Sequence, residues 1–293
     1  MANLKEIRTR IASVQSTQKI TSAMKLVSAA KLRRAQNAIF NLRPYSNKLN
    51  TILQNLSDSI EISDDNPLFE QREPENVVLI AITSNRGLCG AFNTNVIKEV
   101  HRLINENYQK QLREEKLKMI CIGKKAAEQL QKNYTVMLSN EFLLDTPNFE
   151  EVAKIASDLI DDFSNKKIDQ IVIVYNRFVN IGTQKVAVEH FLPILNLEKE
   201  SSNQTKNANF IFEPSQQELL EELIPKILKI QLYKTVLDSI AAEHGARMTA
   251  MAKATDNAAE ILRALKLKYN NARQAVITNE LNEIESGAEA LKN

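Results

Sequence analysis

Tryptophan is absent from this 293-residue chain, and cysteine, glycine and proline are scarce, at 2, 6 and 7 residues. Two cysteines, Cys89 and Cys121, cannot build a disulfide framework, so a reducing compartment is the default. Few turn-forming residues mean few turns and long uninterrupted elements, which argues against a β-sandwich, a propeller or a multi-blade repeat. No apolar run approaches the roughly 20 residues that a membrane-spanning helix needs. The first residues, Met1–Arg8, are amphipathic where a secretory signal would be apolar. The three histidines, His101, His190 and His244, share no ligand spacing and point to no metal site.

What is present falls into three segments of different period. From Ala2 to about Ser57 there is no glycine and one proline, Pro44. Leu4, Ile7, Ile11 and Val14 lie on one helical face, and small residues such as Thr21, Ser22, Ala23 and Ser28–Ala30 follow. Small side chains let a partner backbone approach closely. The spacing predicts a helix throughout, with a kink at Pro44, reaching roughly 80 Å if straight. From Pro214 to the end the helical period returns: Ala258, Leu262, Leu265, Tyr269, Ala272 and Val276 follow the alternating four and three of a coiled coil. Here Pro225 and Gly245 are the weak points. Met248 and Met251, one turn apart, read as seam filling.

The middle reads differently. Val77–Thr83, Lys118–Ile122 and Ile171–Tyr175 are short apolar runs suited to strands buried on both faces. Helical patterns occupy Asn93–Tyr108, Lys124–Lys132 and Asn148–Phe163, and the alternation predicts a mostly parallel sheet covered by helices. Gln184–Phe191 alternates as a half-exposed, antiparallel edge strand, with His190 on its apolar face as a core residue. The polar tract 198–209 is a loop. The expected division is therefore 1–57, a shaft helix; 58–213, an α/β domain of Rossmann-like type; and 214–293, a second shaft helix. Each long helix is the other's available partner, so the two are expected to run antiparallel as a hairpin rooted in the α/β domain.

Charge is unevenly placed although the net formal charge is only +2. Up to Ser57 the only acid is Glu6, against ten Lys and Arg residues. This pattern admits a solvated face, a nucleic-acid binder, or a surface that meets an acidic protein. The loop Asn85–Asn93 (NRGLCGAFN) follows a strand and precedes a helix, where phosphate loops occur, but it lacks their Gly and Lys spacing. A tight turn through Gly87 and Gly90, with Cys89 a small buried thiol, is the simpler reading; a nucleotide-binding enzyme using that loop is the alternative. No nucleophile–base set is visible anywhere.

The two ends and the loop together carry a resemblance. Ile11–Arg34 (IASVQSTQKITSAMKLVSAAKLRR), Ile82–Asn93 (ITSNRGLCGAFN) and Ala246–Gly287, with ARQAVITNELNEIESG, resemble the γ subunits of F-type ATP synthases over nearly the whole chain. The resemblance implies a curved antiparallel coiled coil turning inside a ring of α and β subunits. It also implies an α/β foot on the membrane ring of c subunits that binds ε. The chain would be a non-catalytic rotor of a proton-driven synthase, with no cofactor and no nucleic-acid partner. It would sit peripherally on the cytoplasmic face of a bacterial inner membrane, without the cysteine pair of plastid members. By the same resemblance, Met24, Lys25 and Arg247 match the lower coupling region, and Arg273, Gln274, Thr278, Glu280 and Glu283 match positions near the catalytic-subunit loops. Phe210, Phe212 and Glu213 match the segment that touches the c ring.

Overall fold

A computed structural model describes residues 4–59, 67–194 and 216–290. The first helix, α1 (Leu4–Ser59), continues across Pro44, and the last, α7 (Gln216–Ala290), continues across Pro225. Each proline removes one hydrogen bond from a ladder of dozens, which does not end either helix. Burial along α1 follows a near-heptad rhythm: Leu4, Ile7, Ile11, Val14, Gln18, Thr21, Met24 and Ser28, then Leu32, Ala35, Ile39, Leu42, Ser46 and Leu49, are covered while their neighbours, apart from the half-covered Ala29 and Ala38, are open. The chain divides into two compact units, residues 1–28 with 248–293 and residues 29–247.

In the smaller unit the two chain ends pair antiparallel. The Thr21 hydroxyl lies 2.8 Å from that of Thr255. Residues 4–20 must then lie beside residues beyond 255, because only 248–254 precede that contact within the unit. Thr21 also reaches its own helix at Gln18 O and Thr255 at Met251 O. Two hydroxyl protons serve three contacts, so one hydroxyl gives up its intrahelical bond to bridge the helices. Ala258 and Leu265 are buried in the seam, with Leu262, Tyr269 and Ala272 half covered. From Arg273 to Ala288 every residue is exposed.

The larger unit is built on a five-stranded sheet of order β3-β2-β1-β4-β5. In chain order its elements are β1 (Val77–Ile82), α2 (Phe92–Asn107), α3 (Gln109–Arg113), β2 (Leu117–Ile122), α4 (Lys124–Leu130) and β3 (Thr135–Asn140), then α5 (Phe142–Asp145), α6 (Phe149–Ser164), β4 (Gln170–Asn180) and β5 (Thr183–Leu192). A short 3-10 turn, Pro67–Phe69, precedes β1. The first four strands in space are parallel, and β5 runs antiparallel along β4 at the edge, as its alternation predicts. Strand β1 is buried at every position, and its residues divide between two cores. Val77, Leu79 and Ala81 meet α2 and α4; Val78, Ile80 and Ile82 meet α6, the Leu32–Ala35 turn of α1 and the first half of α7. Helix α6 starts where the Asn148 side chain accepts from Glu150 N, with Glu150 and Glu151 facing the positive end of the helix dipole.

Two differences from the sequence reading appear. Strand β3 has no apolar run to announce it; its side chains are mostly exposed, and pairing with β2 supplies its order. His190 is not a core residue but is exposed, with Nδ1 3.3 Å from the Gln170 side-chain amide. Among the described residues strand β5 has a neighbour on one side only, and Val186 and Val188 on the same face are themselves half buried, so water reaches the ring.

Candidate functional site

In a sheet of this order the chain runs outward from β1 to β3 and returns to β4 on the other side of β1. The crevice between the carboxyl ends of β1 and β4 is where open α/β sheets place their ligands. The Asn85–Asn93 loop occupies the β1 side. It is braced from within: Asn93 Oδ1 accepts from Ser84 N at 2.9 Å, and the Ser84 hydroxyl lies 2.6 Å from Arg86 O. Gly90 takes the left-handed conformation (φ +63°), as the tight turn requires. Leu88 takes it as well (φ 63°) and stays exposed. On the β4 side, the buried Asn176 amide donates to Phe92 O at 2.9 Å and ties the loop's end across the crevice.

Helix α7 fills the crevice. Residues 235–245 are buried without interruption, so three turns of the helix are covered on all sides. Ala242 packs with Cys89 and Phe92 in a small cluster, with Phe178 and Ala246 at its margin. The guanidinium of Arg247, 7% exposed, donates from Nη2 to Arg86 O at 3.1 Å and to Gly87 O at 3.3 Å. Its Nη1 meets Glu243 Oε1 at 2.5 Å and His244 Nδ1 at 3.3 Å. A guanidinium can only donate, so Nδ1 accepts and the imidazole is neutral with its proton on Nε2.

The electrostatics follow from burial. Burial pushes the His244 ring down to about 4, and the Arg247 and Lys31 charges act in the same direction. Burial raises the Glu243 carboxyl against the opposing pull of Arg247. The Cys89 thiol is raised, first by burial, and Cys121 is pushed up to about 11 by burial alone, so neither carries the thiolate character of a nucleophile. Removing one partner of a buried pair such as Glu243–Arg247 costs about 3–5 kcal/mol, because the other charge is left uncompensated.

The residues named by resemblance are distributed as follows. Met24, half buried, and Lys25, exposed, belong to the smaller unit; Arg247 is the last residue of the larger one and is engaged with its own chain. Arg273, Gln274, Thr278, Glu280 and Glu283 are all exposed on the smaller unit, with the Thr278 hydroxyl bonded back to Gln274 O at 2.9 Å. Exposed apolar side chains accompany them: Val276, Ile277, Leu281 and Ile284. Phe210, Phe212 and Glu213 lie outside the described residues. Glu243 and His244 are the residues that periodicity does not reveal; the signal for their burial is the small-residue cluster Ala241, Ala242 and Gly245 around them.

Among the described residues, no group of three His, Cys, Asp or Glu could hold a metal ion, and no helix is long and apolar enough to cross a membrane. A surface cavity of about 240 Å3, lined by Glu73, Pro74, Glu75, Lys110, Gln111 and Glu114, opens at the amino ends of β1 and β2, the opposite end of the strands from the loop.

A family model described as ATP synthase matches residues 3–291. Curated relatives include the ATP synthase gamma chain of Flavobacterium psychrophilum, 52% identical over all of both chains. That of Flavobacterium johnsoniae is 53% identical over 99% of each chain. Among solved structures, the central stalk and c-ring of the Tetrahymena thermophila mitochondrial ATP synthase matches with TM-score 0.60 and 25% identity, covering 80% of this chain and 99% of that one. A chain of the Euglena gracilis mitochondrial ATP synthase matches in fold with TM-score 0.65 and 20% identity, covering 98% and 94%.

Proposed function

The chain belongs to the family of ATP synthase γ chains, and from that premise we propose that it is the non-catalytic central rotor of a proton-driven synthase on the cytoplasmic face of a bacterial membrane. Its partners are the α and β subunits around the shaft, ε, and the c-subunit ring beneath the foot. The proposed division of labour is 1–57 and 214–293 for the shaft and 58–213 for the foot.

One observation carries this reading. The chain's two ends pair with each other through Thr21 and Thr255, and one helix then continues as the uncovered stretch 273–288, rich in apolar side chains. A helix with Val276, Ile277, Leu281 and Ile284 open to water needs a protein around it. A shaft that turns in a sleeve must meet it through shallow contacts, because deep complementary packing would lock one angle. Each angle presents different side chains to the three catalytic β subunits and favours a different open or closed state, which is coupling by differential contact. Arg273, Gln274, Thr278, Glu280 and Glu283 are the proposed contacts at the tip, with Met24 and Lys25 lower down. Phe210, Phe212 and Glu213 are the proposed contacts with the c ring. Arg247 acts from within its own chain.

That this chain performs no chemistry is supported by its loop: the crevice at Gly87–Gly90 is filled by α7, and the Cys89 thiol is raised and buried. The test is to delete residues 269–293 and measure proton-driven ATP synthesis in reconstituted membranes. Weakened synthesis with assembly retained is expected; synthesis at the full rate would refute a bearing role for the tip.

A further inference from the structure

A rotor must hold its shaft against twisting as well as against pulling. Hydrophobic contact alone is poor at this, because it is non-directional and lets a helix turn in its sleeve. The larger unit grips α7 by directional means at one level, residues 242–247. On one side, Glu243 and Arg247 lie one turn apart, and the Arg247 guanidinium spans two successive carbonyls, Arg86 O and Gly87 O. Those carbonyls belong to a loop that Ser84 and Asn93 already fix. On the other side stands Gly245, about 200° around the helix from Glu243 at roughly 100° per residue. A Cβ there would lie 3.3 Å from Phe178 Cε2, 3.5 Å from Gln184 Nε2 and 3.6 Å from Ile181 O. The β4–β5 turn thus presses on bare backbone, and Gln184 braces it by donating to Ile181 O at 3.0 Å. Ala242 closes the collar against Cys89 and Phe92.

We propose that this collar is the joint through which the foot turns the shaft, with Arg247 the positioning residue that fixes the angle of α7 relative to the sheet. The proposal rests on the rotor reading above and adds the place where torque crosses. A guanidinium suits such a joint, since its planar fork reaches both carbonyls and the Glu243 carboxylate at once, where an ammonium would act as a point charge. Small residues at 241, 242 and 245 let the loop and the hairpin come close enough to grip.

The test uses the whole complex in proteoliposomes, carrying the wild-type chain, R247A or R247K. In R247A, protons pumped per ATP hydrolysed are expected to fall severalfold while hydrolysis persists, and R247K is expected to restore part of the loss. Helix amides at 243–250 should exchange with solvent roughly ten times faster or more, while those of β1 and β2 stay protected. A pumping ratio equal to wild type in R247A, whether or not exchange quickens, overturns the proposal. If R247A does not assemble, E243Q, which keeps the volume and an acceptor, is read by the same ratio and the same criterion. Failure of the wild-type chain to restore pumping to a complex depleted of it would instead refute the rotor reading itself.

Discussion

His244 should make the grip on α7 weaken in mild acid. Its ring is buried, accepts from Arg247 through Nδ1, and has its pKa lowered from 6.5 to about 4. In the unfolded chain the ring titrates near 6.5. Between those values the unfolded state binds a proton that the folded state refuses, so stability is lost as the pH is lowered, by up to about 1.4 kcal/mol per unit. At pH 5 nearly all unfolded rings are charged and about a tenth of folded ones are, which amounts to about 2 kcal/mol; below pH 4 the loss levels near 3 kcal/mol. Three charged groups act on the ring: Arg247 and Lys31 hold it neutral, and Asp145 opposes them weakly. Glu243 works the other way, because its raised carboxyl regains a proton in the folded state before the unfolded one does. The clean measurement is therefore a difference. Urea unfolding of the wild type and of H244Q, which keeps an acceptor but does not titrate, should be followed by circular dichroism from pH 7.5 to 4.5. The wild type should lose about 2 kcal/mol more than H244Q by pH 5. Parallel curves would refute the assignment of a buried neutral imidazole.

Four further substitutions test the packing. G123A should cost about 3–5 kcal/mol, because Gly123 has φ +104° and its Cβ would lie 2.4 Å from Thr83 O and 2.8 Å from Leu144 Cδ1. G87A, whose Cβ would meet nothing within 4 Å among the described residues, should stay within about 0.5 kcal/mol, and thermal unfolding of the two that shows equal losses would contradict the geometry. T21V and T255V should each cost about 1 kcal/mol, while the double variant costs less than their sum by about 0.5–1.5 kcal/mol. Additive losses in a double-mutant cycle would mean that the 2.8 Å hydroxyl contact does not bridge the helices.

Much of this architecture is legible in the chain itself. The heptad stripe from Leu4 to Leu49, and its counterpart from Ala258 to Ala272, require two long helices with partners, because an apolar stripe must be covered. The continuous apolar runs of β1, β2 and β4 require a sheet buried on both faces. Strand β3 is illegible, since Thr135–Asn140 is ordered by its neighbour's hydrogen bonds and not by burial. His190 misleads because alternation assigns a face but not the depth of cover at a sheet edge. The exposed residues Arg273 to Glu283 can be named from resemblance, yet their openness depends on where α1 begins along the seam.

Local pattern, then, determined which segments are helix or strand and which faces must be hidden, because periodicity and side-chain volume act over a few residues. Only the tertiary structure decided that the switch-point crevice holds the chain's own helix, and that Glu243, His244 and Arg247 lie inside it. Those three residues read as an ordinary polar helical turn. What makes them internal is the carbonyl pair at Arg86 and Gly87, brought to them across 160 residues by the fold.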